Sequence, residues 1–282
     1  MNKTLTKTMI ENSIRLINKY CPNLFLYINQ SEFTEFLYKA IKHTKSNKDG
    51  TPNNNFIVTF FKLLEEHKVN NTNEIRNEFT YFNHLIGEFQ KYGNKREFKN
   101  LLIGVLYNFN TNNFHHILGE IAICLSLCQK YTFKKYERVL ENNNSIDFEF
   151  TNENGEIILV DVFTINFNKE KYEKEKFKIF LDNRLKTKFQ SKTKDLNLVT
   201  KENIFVTPIL SSFTIDIIKE QSEYLKIVSR STIERNGFQT FPPKVFGNIQ
   251  GTFFSLFTID EIIDLEKIQE KYSHYSYKIN NI

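Results

Sequence analysis

Tryptophan is missing from this chain, and cysteine, proline and glycine are sparse, at 3, 5 and 9 of 282 residues. Three cysteines, Cys21, Cys124 and Cys128, are too few for a disulfide framework, which excludes the small stapled secreted class. Cys124 and Cys128 fall on one apolar helical face and read as buried thiols of a reducing compartment. A zinc site joining them to His115 and His116 lacks the second CxxC or HxxxH pair such sites use, and is the lesser reading. No apolar run approaches the length of a membrane span, and the N-terminal residues lack a long apolar stretch followed by small residues. The expectation is a soluble, cytoplasmic chain with no membrane partner. No fixed-period repeat is visible, which argues against a solenoid.

What is present points to a packed protein. A hydrophobic fraction of 40% and an aromatic fraction of 15%, carried by 28 Phe and 13 Tyr, exclude disorder. The length allows one large or two modest domains with real cores. A net charge of +5 suits a polyanionic partner but is too mild to demonstrate one.

The first part of the chain reads as helical. Ile10, Ile14 and Ile17 keep helical spacing over Met9–Tyr20, and Cys21-Pro22-Asn23 breaks it. Ser31 reads as an N-cap, with Glu32 and Glu35 in the first turn of a helix to about Thr44. Lys45–Asn55 is a polar loop and Phe56–Val69 an apolar segment. Thr72 opens a helix to Tyr92 that Gly93 ends, and Arg96–Phe109 is a further helix before an Asn-rich turn. A boundary near 110–114 divides a helical N-terminal domain, 1–112, from the remainder, 113–282. The helical domain is a candidate surface for a second copy or a protein partner.

The stretch His115–Phe163 carries the chemistry. Ile117, Ile121, Cys124, Leu125 and Cys128 make an apolar helical stripe, with Glu120 at its margin, about 60° from the centre. Ser145–Thr151 alternates, with Ile146, Phe148 and Phe150 on one face and Asp147 and Glu149 on the other. Ile157–Phe163 is nearly all apolar, with Asp161 inside it. The intervening Asn154-Gly155 marks a hairpin, and its length decides which acids meet. A two-residue turn places Asp147 and Asp161 on opposite faces. A three-residue turn, Glu153-Asn154-Gly155 with Gly155 at positive φ, sets them opposite each other. Two facing carboxylates repel unless a cation lies near, and a divalent metal, Mg²⁺ or Mn²⁺, accounts for both.

A helix with Glu120, a strand, Ile146-Asp147-Phe148, then a hairpin into Val160-Asp161-Val162-Phe163 resembles the PD-(D/E)XK nuclease superfamily over roughly residues 115–210. The resemblance implies an α+β fold with a restriction-endonuclease-like core of helix, three strands, helix and strand. It implies a metal-dependent nuclease hydrolysing DNA phosphodiesters in restriction, repair or defence. Asp147, Asp161 and Glu120 fall on the metal-binding and helical acids, with Glu120 orienting the attacking water. The superfamily's lysine falls on Phe163, a departure that leaves open a second reading, an inactive nuclease-fold protein that binds nucleic acid or protein. A displaced lysine has a source in the helix Lys171–Lys192, packed through Phe177, Phe180, Leu181, Leu185 and Phe189. Lys188 and Arg184 lie within about 20° of Phe177 on that helix. Lys188 is either aimed at the acids, stabilising charge on the attacked phosphate, or a cation that snorkels to water.

The remaining segments complete the core. Tyr131–Leu140 is the first strand, and its Lys134, Lys135 and Arg138, with Arg184, are candidate contacts to a nucleic-acid backbone. Asn203–Leu210 is a buried strand, in which Pro208 suggests an edge or an end. Ser212–Ser229 reads as one helix and Asn236–Gly251 as a loop with exposed aromatics. A short strand, Thr252–Phe257, and a helix capped by Thr258 over Ile259–Tyr272 form a C-terminal extension.

Overall fold

The structure, a computed structural model, describes residues 7–46, 56, 59–60, 74–107, 114–166, 173–211, 213–248, 254–264 and 266–270. These residues form two compact units that divide between Ile121 and Ala122. The expected Lys45–Asn55 loop, the Thr72 cap and the Asn-rich turn lie wholly or mostly outside the described residues.

The first unit is helical: α1 (Lys7–Tyr20), α2 (Gln30–Ser46), α3 (Glu74–Glu88), α4 (Lys95–Tyr107) and the start of α5 (Phe114–Cys128). Phenylalanine supplies much of its interior. Phe33, Phe36, Phe56, Phe60, Phe79, Phe82 and Phe114 are buried, with Phe56 and Phe114 meeting edge to face at 5.4 Å between centroids. Such contacts add roughly 0.5–1.5 kcal/mol each to the area term, so the rings specify packing as well as drive it. Gly93, at φ +77°, ends the turn that follows α3, as its place in the sequence predicts. The cap of α2 is a correction. Asn29 fills it, its Oδ1 accepting from the Glu32 N–H at 2.9 Å while Glu32 accepts from the Asn29 N–H at 2.8 Å. This is a reciprocal capping box, so Glu32 marks the third position of the helix and Ser31 lies inside it.

The second unit is α+β. After α5 come β1 (Thr132–Val139), β2 (Ser145–Thr151), β3 (Ile157–Asn166), α6 (Lys174–Thr193), the short α7 (Leu198–Glu202) and β4 (Ile204–Ser211). Two short helices, α8 (Ile215–Glu220) and α9 (Ser222–Val228), and a turn of helix at Ile233–Asn236 lead to β5 (Lys244–Asn248), β6 (Phe254–Thr258) and α10 (Ile259–Ile263). Among the described residues six strands form one sheet in sequence order. β1, β2 and β3 are antiparallel neighbours, β4 is parallel to β3, β5 parallel to β4, and β6 antiparallel to β5. The change from antiparallel to parallel at β3–β4 requires a crossover, which α6 provides. The succession helix, three strands, helix, strand runs from α5 to β4, with α7 added before the last strand.

Three expectations are corrected. The segment 236–251 holds β5, and Phe238 and Phe246 are buried in the core while Phe241 is half-buried and stacks on Phe205. Its Pro and Gly suppressed a strand signal that the sheet itself supplies. The single helix after β4 is two, with Thr214 capping the first through the Ile217 N–H and a break at Gln221. Pro208 lies in an interior strand. Val206, two residues earlier on the same side, receives the Gln239 carbonyl through its N–H at 3.1 Å, and β5 joins only at Ile209 and Leu210. The missing N–H therefore falls between two pairing stretches, where a proline is tolerated.

Candidate functional site

The hairpin register follows from its turn. The Asn152 N–H donates to Glu156 O and the Gly155 N–H to Asn152 O, both at 3.0 Å, and Gly155 adopts φ +81°. The turn therefore has three residues, and the pairs run Thr151–Ile157, Phe150–Ile158, Glu149–Leu159 and Phe148–Val160. The next step of that register sets Asp147 opposite Asp161 at the open end, on the face that also carries Glu149 and Phe163. The Asp147 Oδ2 accepts from the Val162 N–H at 2.7 Å, which pins its carboxylate against β3.

Asp161 is fully buried. A carboxylate there needs counter-charge, and α6 delivers two. Lys188 Nζ lies 2.8 Å from Asp161 Oδ2 and Lys192 Nζ 2.7 Å from Asp161 Oδ1. Their angles fall outside hydrogen-bond geometry, so the attraction is chiefly Coulombic. A spacing of four residues puts both lysines on one helix face. The packing below them comes from Phe177, Leu181, Leu185 and Phe189, all buried, which hold α6 against the sheet. Lys188 also stands over the Phe163 ring, 5.7 Å from its centroid. Lys192 donates a hydrogen bond to the Ser145 carbonyl at 2.6 Å.

The electrostatics bear on Asp147. Burial, and then the neighbouring Asp161 carboxylate, push the Asp147 carboxyl up to about 7, against the opposing pull of the Val162 N–H, Lys192 and Lys188. Glu149 is engaged elsewhere, 3.5 Å from Arg138 Nε.

Asp147, Asp161 and Lys188 thus come together. Lys188 points at the acid rather than to water, because the buried carboxylate outcompetes solvent for its ammonium. Lys192, which the sequence reading used only to end the helix, is the addition, and its signal was its position four residues after Lys188. Glu120 lies half-buried on the part of α5 that belongs to the first unit, whereas Asp147 and Asp161 belong to the second. Lys134, Lys135, Arg138 and Arg184 are exposed, Arg138 with its partner Glu149. Among the described residues no group of three His, Cys, Asp or Glu side chains gathers as a metal site. His115 pairs with Glu78 at 3.5 Å, and Cys124 and Cys128 are buried, with burial holding the Cys124 thiol well above its ordinary range. No described helix is long and apolar enough to cross a membrane.

Comparison with known protein families, with curated proteins and with solved structures finds no match.

Proposed function

We propose that the protein is a metal-dependent nuclease hydrolysing phosphodiester bonds in DNA, with a restriction-endonuclease-like core formed by α5, β1–β3, α6 and β4. The observation that carries this reading is the meeting of Asp147, Asp161 and Lys188 at the open end of a β-hairpin. The donor set fits Mg²⁺ or Mn²⁺. Mg²⁺ is held by one or two carboxylates and takes its remaining ligands from water and phosphate, so two hard oxygen donors suffice. The Asp147 carboxyl is raised first by burial and then by repulsion from Asp161, and the repulsion is a second sign, because a cation between the acids relieves it.

In this reading Asp147 and Asp161 would hold the ion, which supplies Lewis-acid polarisation of the phosphate and a more acidic water. Lys188 takes the part of the lysine that Phe163 replaces. Its side chain retains 29% exposure and meets a phosphate oxygen where negative charge develops. Lys134, Lys135, Arg138 and Arg184 receive the DNA backbone, so binding weakens as salt rises.

The test is incubation of purified protein with supercoiled plasmid and short single-stranded DNA and RNA in Mg²⁺, Mn²⁺ or EDTA, beside Asp161→Ala and Lys188→Ala. The expected result is metal-dependent cleavage, absent in Asp161→Ala and at least about 100-fold weaker in Lys188→Ala. Absence of cleavage, with no rise in melting temperature on adding Mg²⁺ or Mn²⁺, overturns the proposal.

A second reading has its own support. Both oxygens of Asp161 face ammonium groups, and two acids with two lysines balance in charge without a cation. That arrangement, with Phe163 at the superfamily's lysine position, favours an inactive nuclease-fold protein that binds nucleic acid or a protein partner. Such a protein binds DNA equally in EDTA and in Mg²⁺ and cleaves nothing.

A further inference from the structure

We infer that the two lysines on Asp161 divide the work: Lys192 is a fixed positioning residue that holds the acid, and thereby leaves Lys188 able to depart to the phosphate. This deepens the nuclease reading and rests on it.

The two side chains are anchored differently. Lys192 is held at both ends. Its ammonium bridges Asp161 Oδ1 at 2.7 Å and the Ser145 carbonyl at 2.6 Å, which ties β3 to the first residue of β2. Its own carbonyl accepts from Asn142 Nδ2 at 2.9 Å, and Asn144 Nδ2 donates to the Ser191 carbonyl at 3.0 Å. The β1–β2 turn therefore caps the last turn of α6 and fixes where Lys192 begins. Its side chain is only 18% exposed. Lys188 sits one helical turn earlier and is more open, at 29%. Beyond Asp161 its neighbour is the face of the Phe163 ring, a weak and non-directional partner for an ammonium.

The energetics follow from burial. Asp161 is fully buried, and stripping such a carboxylate of every counter-charge is strongly unfavourable. If Lys188 were its sole partner in the metal-free protein, movement to a DNA phosphate would leave the acid bare. With Lys192 locked in place, Asp161 keeps an ion pair after Lys188 leaves. The Phe163 ring provides an intermediate resting place without a charge that would retain the lysine. Removing Lys192 therefore disables Lys188 by trapping it, although Lys192 meets no substrate in this scheme.

The experiment compares native protein, Lys192→Gln, Lys192→Arg and Lys188→Ala in two assays. One is steady-state cleavage in Mn²⁺, and the other is binding of a fluorescent DNA duplex in EDTA by anisotropy. Lys192→Gln retains a donor for Ser145, and thermal melts establish that each variant is folded. The expected result is a fall in kcat/KM of about 100-fold for Lys192→Gln, with kcat lowered and KM raised as in Lys188→Ala, substantially recovered in Lys192→Arg. In EDTA, Lys192→Gln and Lys188→Ala weaken duplex binding equally, and adding Asp161→Asn to Lys192→Gln restores binding by freeing Lys188. Native cleavage with a folded Lys192→Gln that matches native kcat and binding overturns this inference and leaves the nuclease reading standing. Failure of Asp161→Asn to restore binding also overturns it, by showing that Lys192 acts through structure alone. Native protein that neither cleaves nor gains stability from Mn²⁺ removes both.

Discussion

The β2–β3 hairpin has two ends, and they are built on different principles. At the closed end everything is local. Asn152 accepts from the Asn154 and Glu156 N–H groups at 3.0 and 2.9 Å, Glu156 accepts from Asn152 Nδ2 at 2.6 Å, and Gly155 supplies the positive φ. Mostly exposed groups meet there, none of them a buried charge, and water could replace any of them at small cost. At the open end the partners come from far along the chain. Asp147 and Asp161, brought level by the turn, meet Lys188 and Lys192 from a helix that begins eight residues after β3 ends. Burial makes those charges interdependent, so loss of one partner is felt by the others. The lesson is that one end sets register and the other converts register into chemistry.

The largest break in this comparison is Asp161→Ala. It strands two ammonium groups at the open end while leaving the turn intact. We expect metal-dependent cleavage to vanish and stability to fall by about 2–4 kcal/mol in urea titrations, less than for fully buried partners because both lysines keep some water. Lys188→Ala comes next, with cleavage reduced at least about 100-fold but a stability loss of only about 1 kcal/mol, since Lys192 remains on Asp161. Equal losses of stability in the two variants would erase the distinction drawn between the acid and its lysine.

The pH dependence sharpens the same contrast. The folded chain holds the Asp147 proton up to about 7, against the ordinary value of 3.8. Between about pH 4 and pH 7 the folded state therefore binds more protons than the unfolded one. This contribution to stability is present at the acid end of that window and is lost as pH rises through it. Asp147→Asn should flatten that slope and melt above the native protein at pH 8, by about 1–2 kcal/mol. A native protein whose stability is flat over this window, with no gain from the variant, would show that neither burial nor Asp161 holds the Asp147 proton. The smallest effect belongs to the closed end. Gly155→Ala meets no atom within 4 Å and strains only the backbone, so it should lower stability by about 1 kcal/mol and leave cleavage unchanged.

Legibility in the sequence follows the range of the interactions. β2 appears at Ser145–Thr151 in the sequence and in the fold, because alternation is a property of consecutive residues. β5 was invisible, since Pro242, Pro243 and Gly247 read as loop, and only pairing with β4 and β6 makes Lys244–Asn248 a strand. Asn29 and Ser31 both suit a cap by residue type, and only the backbone path decides for Asn29. Lys188 was placed on the packing face by helical spacing, but its target was not readable, because the same spacing serves a snorkelling side chain.

By itself the sequence determined the helical character of the first unit, the hairpin with Asp147 and Asp161 on its strands, and the helix that follows them, while the three-residue turn that makes the two acids face each other was settled by the structure. Each depends on periods of two or of 3.6 residues, or on the backbone needs of one glycine, and these operate over a few residues. Tertiary structure alone decided that Asp161 is buried, that Lys188 and Lys192 both close on it, and that Asn142 and Asn144 fix the end of the helix that carries them. Those outcomes depend on where α6 lies across the sheet, and a buried charge selects its partners by distance in space rather than along the chain.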